Sequence, residues 1–110
     1  MGGKKTNSSW KKVTVTQRMI PIRLLHSSRR LHPPASRRLL QKLREISAKF
    51  NPQAFGTLIV GQRSDGSYWI VDGMQRYRIC VMLHVAIVPC TVFPSAGYEH
   101  EAQVWMLSKG

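Results

Sequence analysis

Asp72-Gly73-Met74-Gln75-Arg76-Tyr77-Arg78 places a carboxylate, a glycine, an amide and two guanidinium groups within seven residues, directly behind the strand-like run Ser67-Tyr-Trp-Ile-Val71. That spacing predicts a strand breaking through a tight glycine turn into a helix. The chemistry it offers is anion binding, and phosphate binding in particular. The first N–H groups of a helix have no intrahelical acceptor and carry the positive end of the helix dipole. Cations are disfavoured in that turn, so Arg76 and Arg78 make most sense beside something negative, either a ligand or an acidic neighbour. Guanidinium groups also contact phosphate oxygens bidentately.

A purely structural reading competes. Asp72 is a good N-cap and Gln75 follows three residues later, which is capping-box spacing. Gly73 serves both readings, because a tight turn and a closely approaching ligand each need a residue without Cβ.

The elements that must position this turn are legible from periodicity. Val13 to Val15 and Met19 to Leu25 read as extended segments, the second an edge strand because it contains Pro21. His26 to Pro34 is a loop with Arg29-Arg30 at its centre. From Ser36 to Phe50 the period becomes helical. Leu39, Leu43, Ile46 and Phe50 form the core stripe, Arg37, Gln41 and Arg44 lie opposite, and Arg38, Lys42 and Lys49 flank it. Asn51-Pro52 stops this helix. Thr57 to Gln62 and Ser67 to Val71 form a hairpin across Ser64-Asp65-Gly66. A helix from Met74 to His84 turns Ile79, Cys80, Met82 and Leu83 inward. Ile87 to Phe93 is a strand, and Tyr98 to Leu107 a last helix. The order β-α-β-β-α-β-α implies an α+β domain, a small mixed β-sheet covered by helices.

With 110 residues, 43% of them hydrophobic, the chain can build one modest core. It divides into a mobile basic arm, residues 1–12, and a single domain, residues 13–110. Its apolar runs fall short of a membrane span, because His84 and Pro89 interrupt the longest. No h-region follows the basic start, so no signal peptide is expected and the location read from the sequence is cytoplasmic. Gly2 and Thr6 match a myristoylation pattern only loosely. Cys80 and Cys90 sit in apolar segments and read as buried free thiols. The histidines lack metal-site spacing, so no structural metal is expected.

The formal net charge of +12 is one-sided. Residues 1–50 carry thirteen Lys and Arg against Glu45 alone, whereas residues 51–110 carry four basic and four acidic residues. Such a half is an electrostatic footprint for a polyanion, nucleic acid first and an anionic membrane surface second. Lys11, Lys12, Arg29, Arg37, Arg38, Lys42 and Arg44 are the candidate DNA contacts. A solubilising charged face is the bland alternative.

From Met19 to Phe93 the chain resembles the N-terminal domain of ParB-type partition proteins and the wider ParB/sulfiredoxin-like group. The likeness lies in an Ile-Pro-Ile strand, an arginine-bearing loop, an amphipathic helix, a Leu-Ile-Val strand, Tyr-Trp-Ile-Val-Asp-Gly, and Ile-Val-Pro-Cys-Thr-Val-Phe. It looks most like short phage and plasmid ParB-like proteins, whose turn commonly reads Asp-Gly-Gln-His-Arg.

The turn of partition proteins, Gly-Glu-Arg-Arg-x-Arg-Ala, cradles the triphosphate of CTP. Gly73, Arg76 and Arg78 match its glycine and its second and third arginines, while Met74 and Gln75 replace Glu and the first Arg. In sulfiredoxins the turn reads Gly-Cys-His-Arg and holds the phosphates of ATP. Here Met74 stands for the nucleophilic Cys and Gln75 for His. A thioether forms no thiolate, so sulfiredoxin-type catalysis is not expected. The resemblance thus implies a nucleotide site for CTP or ATP with Mg²⁺, built on Gly73, Arg76 and Arg78, with Asp72 and Gln75 beside them. Relatives carry Gln-Arg-Pro in the preceding loop where this chain has Arg29-Arg30-Leu31-His32-Pro33. Arg30 is the candidate phosphate contact there.

Partition proteins continue into a helix-turn-helix reader and a dimerisation domain. In that setting Trp105 and Met106 would cover a downstream domain or a second copy in a homodimer; otherwise Trp105 docks on its own core. Two other functions compete. A ParB-like nuclease would need clustered carboxylates for Mg²⁺, and only Asp72 lies at the turn. A plain basic DNA-binding protein would use the turn only as a cap.

Overall fold

The computed structural model describes residues 14–51 and 56–109. The basic arm of residues 1–12, with Gly2, Lys11 and Lys12, lies outside the described residues, as do Val13 and Pro52. Five strands and three α-helices follow one another as β1 (Thr16–Pro21), a 3₁₀ turn (Ile22–Leu24), β2 (Leu25–His26), α1 (Arg37–Ser47), β3 (Leu58–Gln62), β4 (Tyr68–Asp72), α2 (Met74–Met82), β5 (Ile87–Pro94) and α3 (Tyr98–Lys109).

One mixed sheet has the order β1-β5-β3-β4-β2. β1 runs antiparallel to β5, β5 parallel to β3, β3 antiparallel to β4, and β4 parallel to β2. β1 and β2 are opposite edges, yet only Ile22–Leu24 separates them. Strands about 4.8 Å apart put the edges of a flat five-stranded sheet about 19 Å apart. The connecting residues reach at most about 14 Å even when extended. The sheet therefore curls until its edges approach. This corrects the single strand expected over Met19–Leu25: Pro21 ends β1, and the 3₁₀ turn carries the chain across the gap.

The core lies on one sheet face, where the period of two places Leu58, Val60, Val88, Cys90 and Val92 side by side with Ile20 and Ile70. Cys80 joins them from α2, with Met74, Tyr77 and Phe50 packed around. Cys80 and Cys90 are buried and unlinked, and burial pushes the Cys90 thiol up to about 12. α3 covers part of the other face. Gly61 permits its approach, since a Cβ there would stand 2.9 Å from Ser95 Cβ and 3.2 Å from Glu101 Cγ.

Each helix departs somewhat from its sequence pattern. Ser36 caps α1, its Oγ accepting from Leu39 N–H at 3.1 Å. The helix then stops at Ser47, whose hydroxyl donates back to the Arg44 carbonyl. Leu43 is buried, but Ile46, expected in the core stripe, is 50% exposed, because α1 rests on α2 rather than across the sheet. α2 ends two residues early. Val85 N–H bonds Cys80 C=O and His84 N–H bonds Val81 C=O, a Schellman motif with His84 in the left-handed region at φ 56°. Leu83, expected inward, is consequently exposed. Among the described residues no helix is long and apolar enough to cross a membrane.

Candidate functional site

Asp72 closes β4, and the register between β3 and β4 slips between Ile59 and Val60, leaving Val71 as the extra residue. Asp72 then pairs with Ile59 and faces the same cleft. Such a bulge bends a strand and re-aims the residues beyond it. Gly73 comes next at φ 93°, ψ 22°, and it is Gly73, not Asp72, that occupies the N-cap of α2. Among the described residues no side chain caps this helix. Asp72 Oδ1 instead accepts from Gly73 N–H at 2.9 Å, and Gln75 Oε1 accepts from Arg78. The capping box expected from the spacing is thus absent: Asp72 belongs to the strand, one residue too early to cap. The Tyr77 N–H to Gly73 C=O bond at 2.9 Å begins the helix, so Met74 and Gln75 N–H have no intrahelical acceptor.

This helix end opens into a cleft of about 750 Å³. Ile59 and Thr91 line it from the sheet, and the turn Gly73 to Gln75 with Arg76 and Arg78 from one side. The loop Leu31 to Ala35 and the α1 cap Ser36 also line it, so two helix N-terminal ends meet at one cavity. Trp105 and Lys109 reach it from α3.

Both arginines of the motif are half-buried and brace the cleft as well as lining it. Arg76 Nη1 donates to Thr57 C=O at 3.3 Å. Arg78 donates to Pro33 C=O and to Gln75 Oε1, each at 2.9 Å, tying the proline loop to the turn. His32 packs edge-on to Trp105, with ring centroids 6.5 Å apart and planes at 81°. Its Nε2 is buried without a hydrogen-bond partner among the described residues. Burial chiefly, with the Arg78 charge adding to it, holds the imidazole below the ordinary histidine range against the opposing backbone of Ile70 and Val71 and the Asp72 carboxylate.

Asp72, Gly73, Gln75, Arg76 and Arg78 are thus brought together, and Arg30 is not among them. Its guanidinium lies 4.1 Å from the centroid of the Tyr98 ring, outside the residues that line the cleft. Arg29 lines a separate cleft of about 400 Å³ between the loop, α1 and α2. Arg37, Arg38, Lys42 and Arg44 are exposed on α1, and Lys49 is exposed just beyond its end. Among the described residues no group of three or more His, Cys, Asp or Glu side chains is arranged to hold a metal ion.

Sequence reasoning missed His32, Ser36, Trp105 and Lys109 as cleft residues. Ser36 was visible as a helix start, and the spacing of Trp105 and Lys109, one helical turn apart, marks them as one face of α3. Nothing local ties either signal to the Gly73 turn.

No family model and no curated protein matches the chain. Solved structures do. The C-terminally truncated chromosome-partitioning protein ParB from Caulobacter crescentus, complexed with CTP-gamma-S, superposes with a TM-score of 0.65 at 21% identity, over 86% of this chain and 52% of that one. The same protein complexed to the centromeric parS site gives a TM-score of 0.60 at 20% identity, over 84% and 46%. Sulfiredoxin from Arabidopsis thaliana gives 0.53 at 13% identity, over 83% and 97%. The chain spans about half the length of those ParB structures. Its fold is ParB/sulfiredoxin-like.

Proposed function

We propose that this ParB/sulfiredoxin-like fold serves here as a nucleotide- and phosphate-binding module associated with DNA. One observation carries the reading: the α2 N-terminus, uncapped by any side chain, opens beside Arg76 and Arg78 into a cleft that also receives the N-terminal end of α1. Unsatisfied N–H groups, two helix dipoles and guanidinium donors all favour an anion with several oxygens. The solved ParB structures complexed with CTP-gamma-S and with parS make a nucleoside triphosphate and DNA the natural ligand classes. CTP and ATP are the nucleotides to test. Among the described residues Asp72 is the one carboxylate lining the cleft, so Mg²⁺ would arrive on the phosphates rather than in a protein-built cage. Met74 at the turn supplies no thiolate, which removes sulfiredoxin-type chemistry from the proposal. DNA is assigned to the exposed basic face of α1 and to Arg29.

Calorimetric titration of CTP, ATP and GTP with Mg²⁺ into the wild type and Arg78→Ala tests the site. Losing a charge-assisted contact worth about 1.5–3 kcal/mol should weaken the preferred nucleotide by roughly 10- to 150-fold. Because Arg78 also braces Pro33, the melting temperature of the variant is measured alongside. Absence of heat from all three nucleotides in the wild type, or equal affinities in both proteins, would refute the proposal.

A further inference from the structure

The phosphate cradle occupies one part of the cleft and leaves its α3 wall unexplained. Trp105 and Lys109 form that wall from one face of the helix. The placement of Trp105 is determined one turn earlier, where Glu101 is 1% exposed and clasped to the sheet by Arg63 and Ser95. Met106 and Leu107, its chain neighbours, are 68% and 81% exposed, so the end of α3 is not drawn down by core packing. Trp105 is only half-buried, and among the described residues it is the one indole lining the cleft. His32 meets it at 81°, an edge-to-face contact that orients the indole without stacking on it in parallel. Lys109 Nζ lies over the indole ring, 5.2 Å from its centroid, a cation–π contact that a base stacking on that face would displace. A cavity of about 750 Å³ is of the size that accepts a whole small-molecule ligand, not a phosphate group alone.

We propose that Trp105 is the base platform of this site: a nucleoside polyphosphate binds with its phosphates at the Gly73 turn and its base stacked on the indole. The inference rests on the reading of the cleft as a phosphate site and adds what that reading does not contain, a reason for preferring a nucleoside over bare polyphosphate. An indole face offers stacking without base-edge hydrogen bonds, so Trp105 selects for the presence of a base and does little to select which one.

The full chain, as wild type, Trp105→Ala and Trp105→Phe, is titrated with CTP and separately with inorganic tripolyphosphate, both with Mg²⁺. Base stacking on an aromatic side chain is worth a factor of roughly 5 to 150. Wild type should therefore bind CTP at least about fivefold more tightly than tripolyphosphate. Trp105→Ala should erase that preference while leaving tripolyphosphate within about twofold, and Trp105→Phe should keep most of it. Equal weakening of both ligands in Trp105→Ala would show a merely structural role and overturn the inference. So would CTP binding that ignores the substitution. If wild type binds neither ligand, the phosphate reading itself falls.

Discussion

Gly73 is held by two independent constraints. Its φ of 93° lies where side chains are strained, and a Cβ added there would stand 2.7 Å from Leu58 Cδ2 in the buried core. Gly73→Ala must therefore strain the backbone and displace Leu58. Left-handed strain costs on the order of 1–3 kcal/mol, and crowding a packed side chain adds to it. A fall in melting temperature of several degrees is expected, and a variant melting within a degree of wild type would contradict the steric argument. Met74, one residue on, distinguishes this turn chemically, because a thioether packs against the core where a thiol would offer a nucleophile. Gly73 and its position after a strand were legible in sequence. Its role as the N-cap was not, since that depends on how far β4 runs before it turns.

At the scale of elements, α3 is fastened by a polar clasp. Arg63 donates two hydrogen bonds to Glu101, at 2.9 and 2.7 Å, and Ser95 Oγ donates a third at 2.5 Å. Arg63 also lies 3.9 Å from the Trp69 ring centroid, and His26 stacks on Trp69 at 5.0 Å, so the clasp ties α3 to both β4 and β2. Burial alone would push the Glu101 carboxyl up; the Arg63 and Ser95 hydrogen bonds overcome it and hold the group below its ordinary value of 4.5. A depressed carboxyl contributes stability above its unfolded value, and that stability is lost as pH falls through the folded one. Arg63→Met leaves a buried carboxylate without its cation. Because Arg63 is partly exposed, the loss at pH 7 should fall near the lower end of about 3–5 kcal/mol. Protonating Glu101 relieves the variant but not the wild type. The gap in melting temperature between them should therefore be widest near pH 7 and narrow below pH 4.5, measured by scanning calorimetry. A gap independent of pH would mean that Arg63 acts through packing on Trp69 instead.

Across the whole molecule, the basic excess and the cleft converge on one helix. Ser36 at the start of α1 lines the cleft, while Arg37, Arg38, Lys42 and Arg44 stand exposed along the helix, with Lys49 exposed just past its end and Glu45 as its single acid. If this face meets DNA phosphates, Lys42→Ala with Arg44→Ala removes two contacts. The slope of log affinity against log salt should then flatten by about 1.8 on duplex DNA, read by fluorescence anisotropy across a salt series. Weakened binding with an unchanged slope would place the DNA contacts elsewhere.

The amino-acid sequence by itself determined the hairpin, the glycine turn, the basic helix and the order of elements from α1 onward, because periodicity, turn chemistry and charge act over a few neighbouring residues. Only the tertiary structure decided which distant groups meet. Pro33 and Arg78 are 45 residues apart, and Arg63 and Glu101 are 38 apart. Nothing local marks Glu101 as buried, Ile46 as exposed, Arg30 as a partner of Tyr98, or Trp105 as a wall of the cleft. Those outcomes arise from the curl of the sheet and the docking of α1 and α3, where long-range packing overrides local pattern.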